Sequence, residues 1–130
     1  MDALDDALRK MNFDYFGKGL HKVSPAALFD KLQAVFVDLR ADEEREALPI
    51  EIPRLRNIQI PLHHLPQRWK EIPRNLPVGL FCSGDTRSAI ALVYLVARGY
   101  DAARIVIGGY EALVEELKPG KLHKYLSTGD

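Results

Sequence analysis

One segment of the chain combines a nucleophile, an anion-binding turn and a cation. Cys82 is the only cysteine, and it directly follows the apolar run 78–81. A helical pattern at 89–98 begins shortly after it. The turn 82–87 therefore lies over a helix N-terminus, where backbone N–H groups can converge on an anion. Such surroundings favour the thiolate, which is the nucleophilic form of cysteine. The sequence thus predicts Cys82 as a catalytic residue.

The residues that follow Cys82 are candidates for contacts with the substrate. Arg87 is the one cation of the turn, and it could balance a sulfur anion or position an anionic ligand. Ser88 has a second interpretation, in which its hydroxyl caps the following helix. The complete candidate loop consists of Ser83, Gly84, Asp85, Thr86, Arg87 and Ser88.

Composition limits the classes of protein to which the chain belongs. Basic and acidic residues balance at 18 each, so we expect neither a nucleic-acid partner nor an acidic membrane surface. A lone cysteine forms no internal disulfide and no cysteine-based zinc site, and it is typical of a reducing compartment such as the cytoplasm. No apolar run resembles a secretory signal or approaches the ~20 residues of a membrane span. We therefore expect one domain that acts without a metal or another cofactor.

Short apolar runs alternate with helical patterns along the middle of the chain. Five strands are predicted, at 22–23, 34–39, 57–60, 78–81 and 104–107. This alternation indicates an α/β fold with a parallel five-stranded sheet and helices on both faces. Ligands of such sheets bind beyond the carboxyl ends of the strands, and Cys82 is expected at such an end.

Charged residues at the end of the second predicted strand are candidates for a supporting role. Asp38 and Arg40 are expected at the same edge of the sheet as Cys82. They either contribute directly to the site or form an ion pair that fixes its rim. The adjacent His63 and His64 point in different directions, which makes them poor chelators, and we interpret them as surface residues.

The two ends of the chain are expected to lie outside the central domain. Residues 1–19 are predicted to form a helical extension, 20–120 the domain, and 121–130 a tail that begins after Pro119-Gly120 ends the last helix. The apolar and aromatic residues of the extension are expected to pack on the domain, with a homodimer or another partner as the alternative. These residues are Leu4, Leu8, Met11, Phe13, Tyr15 and Phe16.

Four short segments carry a joint pattern in the order of the chain. They are Phe36-Val37-Asp38-Leu39-Arg40 with Glu44, then Asn57-Ile58-Gln59-Ile60-Pro61-Leu62, then Phe81-Cys82 through Arg87-Ser88, then Ile105-Val106-Ile107-Gly108-Gly109-Tyr110. Together they resemble the single-domain rhodanese family of sulfurtransferases, over about residues 22–117. Glu44 is interpreted as structural within this pattern.

The resemblance implies a sulfurtransferase in which Cys82 carries sulfur as a persulfide. Its thiolate would take the outer sulfur of a small sulfane-sulfur donor, or of a protein persulfide, and pass it to a thiol, cyanide or protein acceptor. Backbone N–H groups of the loop would stabilise the sulfur anion as an oxyanion hole does. Because Cys82 is the only cysteine, the acceptor has to be external.

Departures from the family pattern leave alternatives open. The family's Gly-His-Ile-Pro-Gly segment is here Ile50-Glu51-Ile52-Pro53-Arg54. A non-catalytic rhodanese-fold module for binding or regulation is therefore the alternative to an enzyme. Related phosphatases and arsenate reductases place five residues between cysteine and arginine. The four residues between Cys82 and Arg87 predict a cradle too small for phosphate.

Asp85 occupies the position at which the family's loop commonly has glycine. If this position requires a positive φ, Asp is among the better replacements for glycine. A carboxylate near a thiolate disfavours the charged sulfur and repels anionic donors. We therefore expect weak turnover of thiosulfate, and a protein-bound persulfide or another small thiol as the better donor.

Overall fold

Short runs of buried residues form a fully parallel sheet at the centre of the molecule. The computed structural model describes residues 2–126. Its strands lie in the spatial order first, fifth, fourth, second, third, and every adjacent pair is parallel. The predicted five-stranded parallel sheet is confirmed. The strands are β1 (Lys22–Val23), β2 (Val35–Asp38), β3 (Arg56–Gln59), β4 (Val78–Phe81) and β5 (Ala103–Val106).

Helices connect these strands and cover both faces of the sheet, as predicted. Two short 3-10 helices, Leu62–His64 and Trp69–Glu71, flank the fifth α-helix. The α-helices are α1 (Ala3–Lys10), α2 (Phe13–Gly17), α3 (Pro25–Phe29), α4 (Asp42–Ala47), α5 (Leu65–Arg68), α6 (Thr86–Val96), α7 (Gly109–Glu116) and α8 (Pro119–Leu126).

Alternate residues of the central strands β2 and β4 pack into different cores. On one face Val37 and Leu80 pack with Leu95 of α6 in a single buried cluster. On the other face Phe36 and Phe81 pack with α3 and α7, and their ring centroids are 5.6 Å apart. Because both faces are covered, these strands read as continuous apolar runs instead of alternating ones.

The strand order brings two loops together at the carboxyl edge of the sheet. Asp38 at the end of β2 pairs in register with Phe81 at the end of β4, and the Leu39 N–H donates to the Phe81 carbonyl at 2.9 Å. The chain runs from β2 into α4 and from β4 into α6. The start of α4 and the turn after Cys82 therefore meet where parallel sheets bind ligands.

The N-terminal helix packs on the domain with a narrower face than its sequence indicates. Ala7 is buried, and Met11 packs against the same core as α6. Leu4 and Leu8 are 51% and 53% exposed. The prediction that Leu4 and Leu8 are covered by the domain is wrong, because α1 turns Ala7 and Met11 inward and leaves the two leucines at the exposed border of that face. The homodimer through residues 1–19 stays a prediction, which sedimentation equilibrium would test.

The C-terminal segment contains a further helix, where the sequence predicts that Pro119-Gly120 ends the last one and a tail follows. Pro119 opens α8 instead of only ending α7, since proline is well tolerated in a first helical turn. The Tyr125 ring contacts Phe29 edge-on at 5.6 Å between centroids, and its hydroxyl donates to a Glu116 carboxylate oxygen at 2.7 Å. The division at residue 120 stays a prediction, and residues 1 and 127–130 of the predicted terminal segments lie outside the described residues.

Candidate functional site

Cys82 lies at the carboxyl end of β4, beneath the turn that leads into α6. Its side chain is fully buried. The Ser88 backbone N–H and hydroxyl donate to its Sγ at 3.3 Å and 3.1 Å. Donors on a sulfur favour its anionic form. The interpretation of Ser88 as a helix cap is wrong, because α6 begins at Thr86 and Ser88 turns its hydroxyl to the sulfur.

Asp85 precedes the first residue of α6 with a left-handed backbone. Its φ is 66°, so the expected positive φ is present at the place where the family commonly has glycine. The carboxylate does not cap α6. Its Oδ1 is buried and accepts no hydrogen bond from any residue between 2 and 126. The neighbouring Gly84 is exposed, so the loop presents backbone to solvent beside a strained, negatively charged residue.

Arg87 extends across the site to α4 and pairs with Glu44. Both terminal nitrogens of the guanidinium donate to the two carboxylate oxygens, with Nη2 to Oε2 at 2.9 Å. The same Nη2 donates to Ser83 Oγ at 3.1 Å. Glu44 is held in turn by the Ala41 N–H, which donates to its Oε1 at 3.0 Å. Arg87, Glu44 and Ser83 thus form one network, which we call the clamp.

The clamp changes the ionisation of both charged partners. Hydrogen bonds from Arg87, followed by the one from the Ala41 N–H, lower the pKa of Glu44 to about 2. Hydrogen bonds to Glu44 raise the pKa of Arg87, with a smaller contribution from the charge of Cys82. Both groups are therefore charged at neutral pH, and the positive charge of the loop is balanced by Glu44.

Asp38 and Arg40 form a buried ion pair at the rim. Arg40 donates to the carboxylate from Nε at 3.0 Å and from Nη2 at 2.8 Å, and its backbone N–H donates to Oδ1 at 3.1 Å. Both side chains are almost fully buried. The guanidinium lies 5.6 Å from the centre of the Phe81 ring. This pair ties the end of β2 to the end of β4, next to Cys82.

Gly109 forms a wall against the loop. Its φ is 62°, and an added Cβ would lie 2.6 Å from the Ser83 carbonyl oxygen. A side chain there would push the loop outward, and the left-handed backbone disfavours one as well. The glycine therefore lets the turn before α7 approach the turn that covers Cys82.

Comparison with a family model assigns the chain to a protein family. The model for the rhodanese-like domain matches residues 25–116. The chain belongs to the rhodanese family. A rhodanese-like domain protein from Staphylococcus aureus has the same fold with a TM-score of 0.60 at 31% identity, covering 72% of this chain and 90% of that one.

Sequence relatives of this rhodanese domain include named sulfurtransferases. A tRNA sulfurtransferase of Shewanella denitrificans is 27% identical over 73 residues, which cover 56% of this chain and 15% of the relative. A sulfurtransferase of Allochromatium vinosum is 36% identical over 52 residues, which cover 40% of this chain and 49% of the relative. The matched regions are therefore half or less of the length of these relatives.

The rhodanese loop brings together most of the residues predicted for the site. Ser83 joins the clamp, Ser88 contacts the sulfur, and Thr86 opens α6 in an exposed position. The partnership of Glu44 with Arg87 was missed, since they lie 43 positions apart. The signal that could have indicated it was the position of Glu44 shortly after the end of the second strand, because the loop with Arg87 follows a strand that ends at the same edge of the sheet.

Neither a metal-binding cluster nor a membrane-spanning helix is found within residues 2–126. No group of histidine, cysteine, aspartate and glutamate side chains there is arranged to hold a metal ion. No helix in that part of the chain has the length and apolarity to cross a bilayer.

Proposed function

We propose that this rhodanese domain is a sulfurtransferase that carries sulfur on Cys82. One observation supports the proposal above the others: a serine on the first turn of α6 places two donors on Sγ, within a loop that belongs to the rhodanese family. Such donors stabilise a thiolate before the reaction and a persulfide anion after it. The names of the relatives support the same reaction class.

The reaction consists of two transfers of one sulfur atom. The Cys82 thiolate attacks the outer sulfur of a donor R–S–SH; a bond forms between the two sulfurs, the donor's S–S bond breaks, and RS⁻ leaves with its electron pair. Cys82 then carries S–SH. A thiol, cyanide or protein acceptor attacks the outer sulfur, and the thiolate of Cys82 leaves. The cysteine returns to its starting state, so no resident cofactor or oxidant is required.

The spacing of the loop favours sulfur over phosphate as the transferred group. Four residues separate Cys82 from Arg87, and Arg87 is engaged by Glu44. A phosphate would need several converging N–H groups and a free cation. Hydrolysis of an aryl phosphate that depends on Cys82 would overturn this choice.

Mass spectrometry of the intact protein tests the proposal. After incubation with a persulfide donor, we expect a gain of one sulfur atom on the peptide that contains Cys82, and its loss on addition of cyanide with release of thiocyanate. Cys82→Ser is the matched control and should gain nothing. The proposal fails if no adduct forms on Cys82 with thiosulfate, mercaptopyruvate or a persulfide donor.

The burial of the thiol favours a second candidate, a non-catalytic module for binding. Cys82 is fully buried, so a donor can reach Sγ only if the residues that cover the thiol move. Under this alternative, Cys82→Ser keeps cellular function while removal of residues 1–19 abolishes it. Under the sulfurtransferase proposal, Cys82→Ser abolishes function. For either role, the free thiol supports action in a reducing compartment such as the cytoplasm.

A further inference from the structure

In the clamp, the carboxylate of Glu44 offsets the one positive charge that the loop offers to a substrate. Each terminal nitrogen of Arg87 is directed at a carboxylate oxygen of Glu44. The same Nη2 of Arg87 also donates to Ser83 Oγ at 3.1 Å. A bidentate pair of this kind holds the guanidinium in one plane and offsets its charge with a carboxylate, so Arg87 attracts a second anion less strongly than an unpaired arginine would.

The charges around the loop sum to a negative value before the cysteine ionises. The segment from Cys82 to Ser88 contains Asp85 and Arg87 as its charged side chains other than the thiol, and Glu44 adds a second carboxylate. Two negative charges against one positive charge leave a net charge of −1. The nearby arginines do not compensate, because Arg40 pairs with Asp38 and Arg45 with Asp42.

Glu44 is anchored so that it holds this arrangement. Its Oε1 accepts from the Ala41 N–H at the start of α4, and α4 follows directly from β2. The position of the carboxylate is therefore set by the sheet and the helix. Arg87 is therefore held by a carboxylate whose position does not depend on the loop.

We propose that Glu44 is a positioning residue that determines donor specificity: by neutralising Arg87, it makes the site select sulfur donors that carry little negative charge. This inference rests on the sulfurtransferase function proposed above and names the donor class. A thiol persulfide that reacts in its protonated form, R–S–SH, brings no charge to the sulfur under attack. Thiosulfate brings two negative charges. The Cys82 thiolate bonds to its sulfane sulfur, the S–S bond of thiosulfate breaks, and sulfite leaves as a dianion while Cys82 is left as a persulfide anion. The site repels this donor and the transition state that follows from it.

A pair of donors that differ by one charge tests the proposal. Thiosulfate carries two negative charges and methanethiosulfonate carries one, and both transfer a sulfane sulfur to a thiolate. The measured quantity is the ratio of kcat/KM for thiosulfate to kcat/KM for methanethiosulfonate, followed as thiocyanate released to cyanide. We expect Glu44→Gln to raise this ratio about tenfold, as one unit charge near a partly solvated site would.

The neighbouring residue offers a matched control. Glu43 lies one position earlier on α4 and is exposed, so Glu43→Gln changes the net charge of the protein by the same amount without touching the clamp. Its ratio should stay within about twofold of the parent protein. An equal rise in both variants would overturn the proposal, since the effect would then follow net charge alone.

A double variant keeps the proposal open to refutation if Glu44→Gln does not fold. Glu44→Gln with Arg87→Gln removes one charge of each sign and preserves side chains that can hydrogen-bond to one another. If Arg87 is already neutralised, the ratio should match that of the parent protein. A large fall would show that Arg87 binds the dianion directly, and the proposal would be wrong.

Failure of this inference is distinguishable from failure of the proposed function. If Cys82 acquires sulfur but the ratio does not change in Glu44→Gln, donor selection by Glu44 is refuted and the sulfurtransferase function stands. If Cys82 acquires sulfur from neither donor nor from a thiol persulfide, the function itself is refuted and donor selection falls with it.

Discussion

Replacing Asp85 by glycine changes the backbone strain of the loop, a buried acceptor and the local charge together. Asp85 has a φ of 66°, and a left-handed residue other than glycine costs about 1–2 kcal/mol. Its Oδ1 is buried without a partner among residues 2–126, which costs about 1–3 kcal/mol. Glycine loses about 1 kcal/mol of conformational freedom on folding. Asp tolerates this region well, so we take the low end of the strain cost and of the cost of the unpaired acceptor, and subtract the conformational cost of glycine. By this sum Asp85→Gly stabilises the protein by about 1 kcal/mol.

The same change should raise the rate with thiosulfate. Asp85 lies three residues after Cys82, so the two Cα atoms are at most ~11 Å apart. At about 8 Å, a unit charge interacts with another by about 0.5–2 kcal/mol for an effective dielectric constant between about 80 and 20. Removal of the carboxylate is therefore expected to raise kcat/KM for thiosulfate by roughly 2- to 30-fold.

Urea denaturation and thiocyanate formation measure the two effects separately. Asp85→Asn is the matched control, because asparagine also tolerates positive φ but carries no charge. Both variants should show the higher thiosulfate rate, and only Asp85→Gly should gain the full stability. A thiosulfate rate that is unchanged or lower in both variants would refute the electrostatic argument. A glycine variant less stable than the parent protein would refute the argument about strain.

Three further predictions concern the supports of the site. Asp38→Asn should lower the free energy of unfolding by about 3–5 kcal/mol, because it leaves the buried Arg40 guanidinium without its counter-charge; a loss below ~1 kcal/mol in urea denaturation would contradict this. Gly109→Ala should cost about 1–3 kcal/mol and reduce persulfide formation, since its Cβ would lie 2.6 Å from the Ser83 carbonyl oxygen; a fully active, equally stable variant would refute the close approach. The lowered pKa of Glu44, about 2 against an ordinary 4.5, contributes stability that is present above pH 4.5 and lost as the pH falls toward 2. Because this carboxylate is partly exposed, we expect about 1 kcal/mol after solvent screening, measured as a pH dependence that Glu44→Gln abolishes.

Local patterns in the sequence were sufficient to predict the sheet and the loop. The apolar runs that became β2 and β4 are short and rich in branched or aromatic residues, as strands covered on both faces are. The tolerance of Asp85 for a left-handed backbone was also predictable, because Asp is among the few residues other than glycine that adopt a positive φ. Such features depend on neighbours in the chain, so one sequence contains the information for them.

The ends of the chain were predicted less well for a physical reason. Whether Leu8 or Ala7 of α1 faces inward depends on where the helix rests on α6, and both choices satisfy the helical period. Pro119 follows α7 and opens α8, and only the packing of Tyr125 on Phe29 decides that α8 joins the core that contains Phe36 and Phe81.

The sequence by itself determined that Cys82 would stand at the end of a buried strand and before a helix, with a cation five places further along. It also determined that the loop would contain an opposing carboxylate at Asp85. The tertiary structure decided what Arg87 does with its charge, because its partner Glu44 lies on α4, which follows a different strand, 43 positions away in the chain. Pairings across a parallel sheet depend on strand order and register, and local spacing carries no record of either.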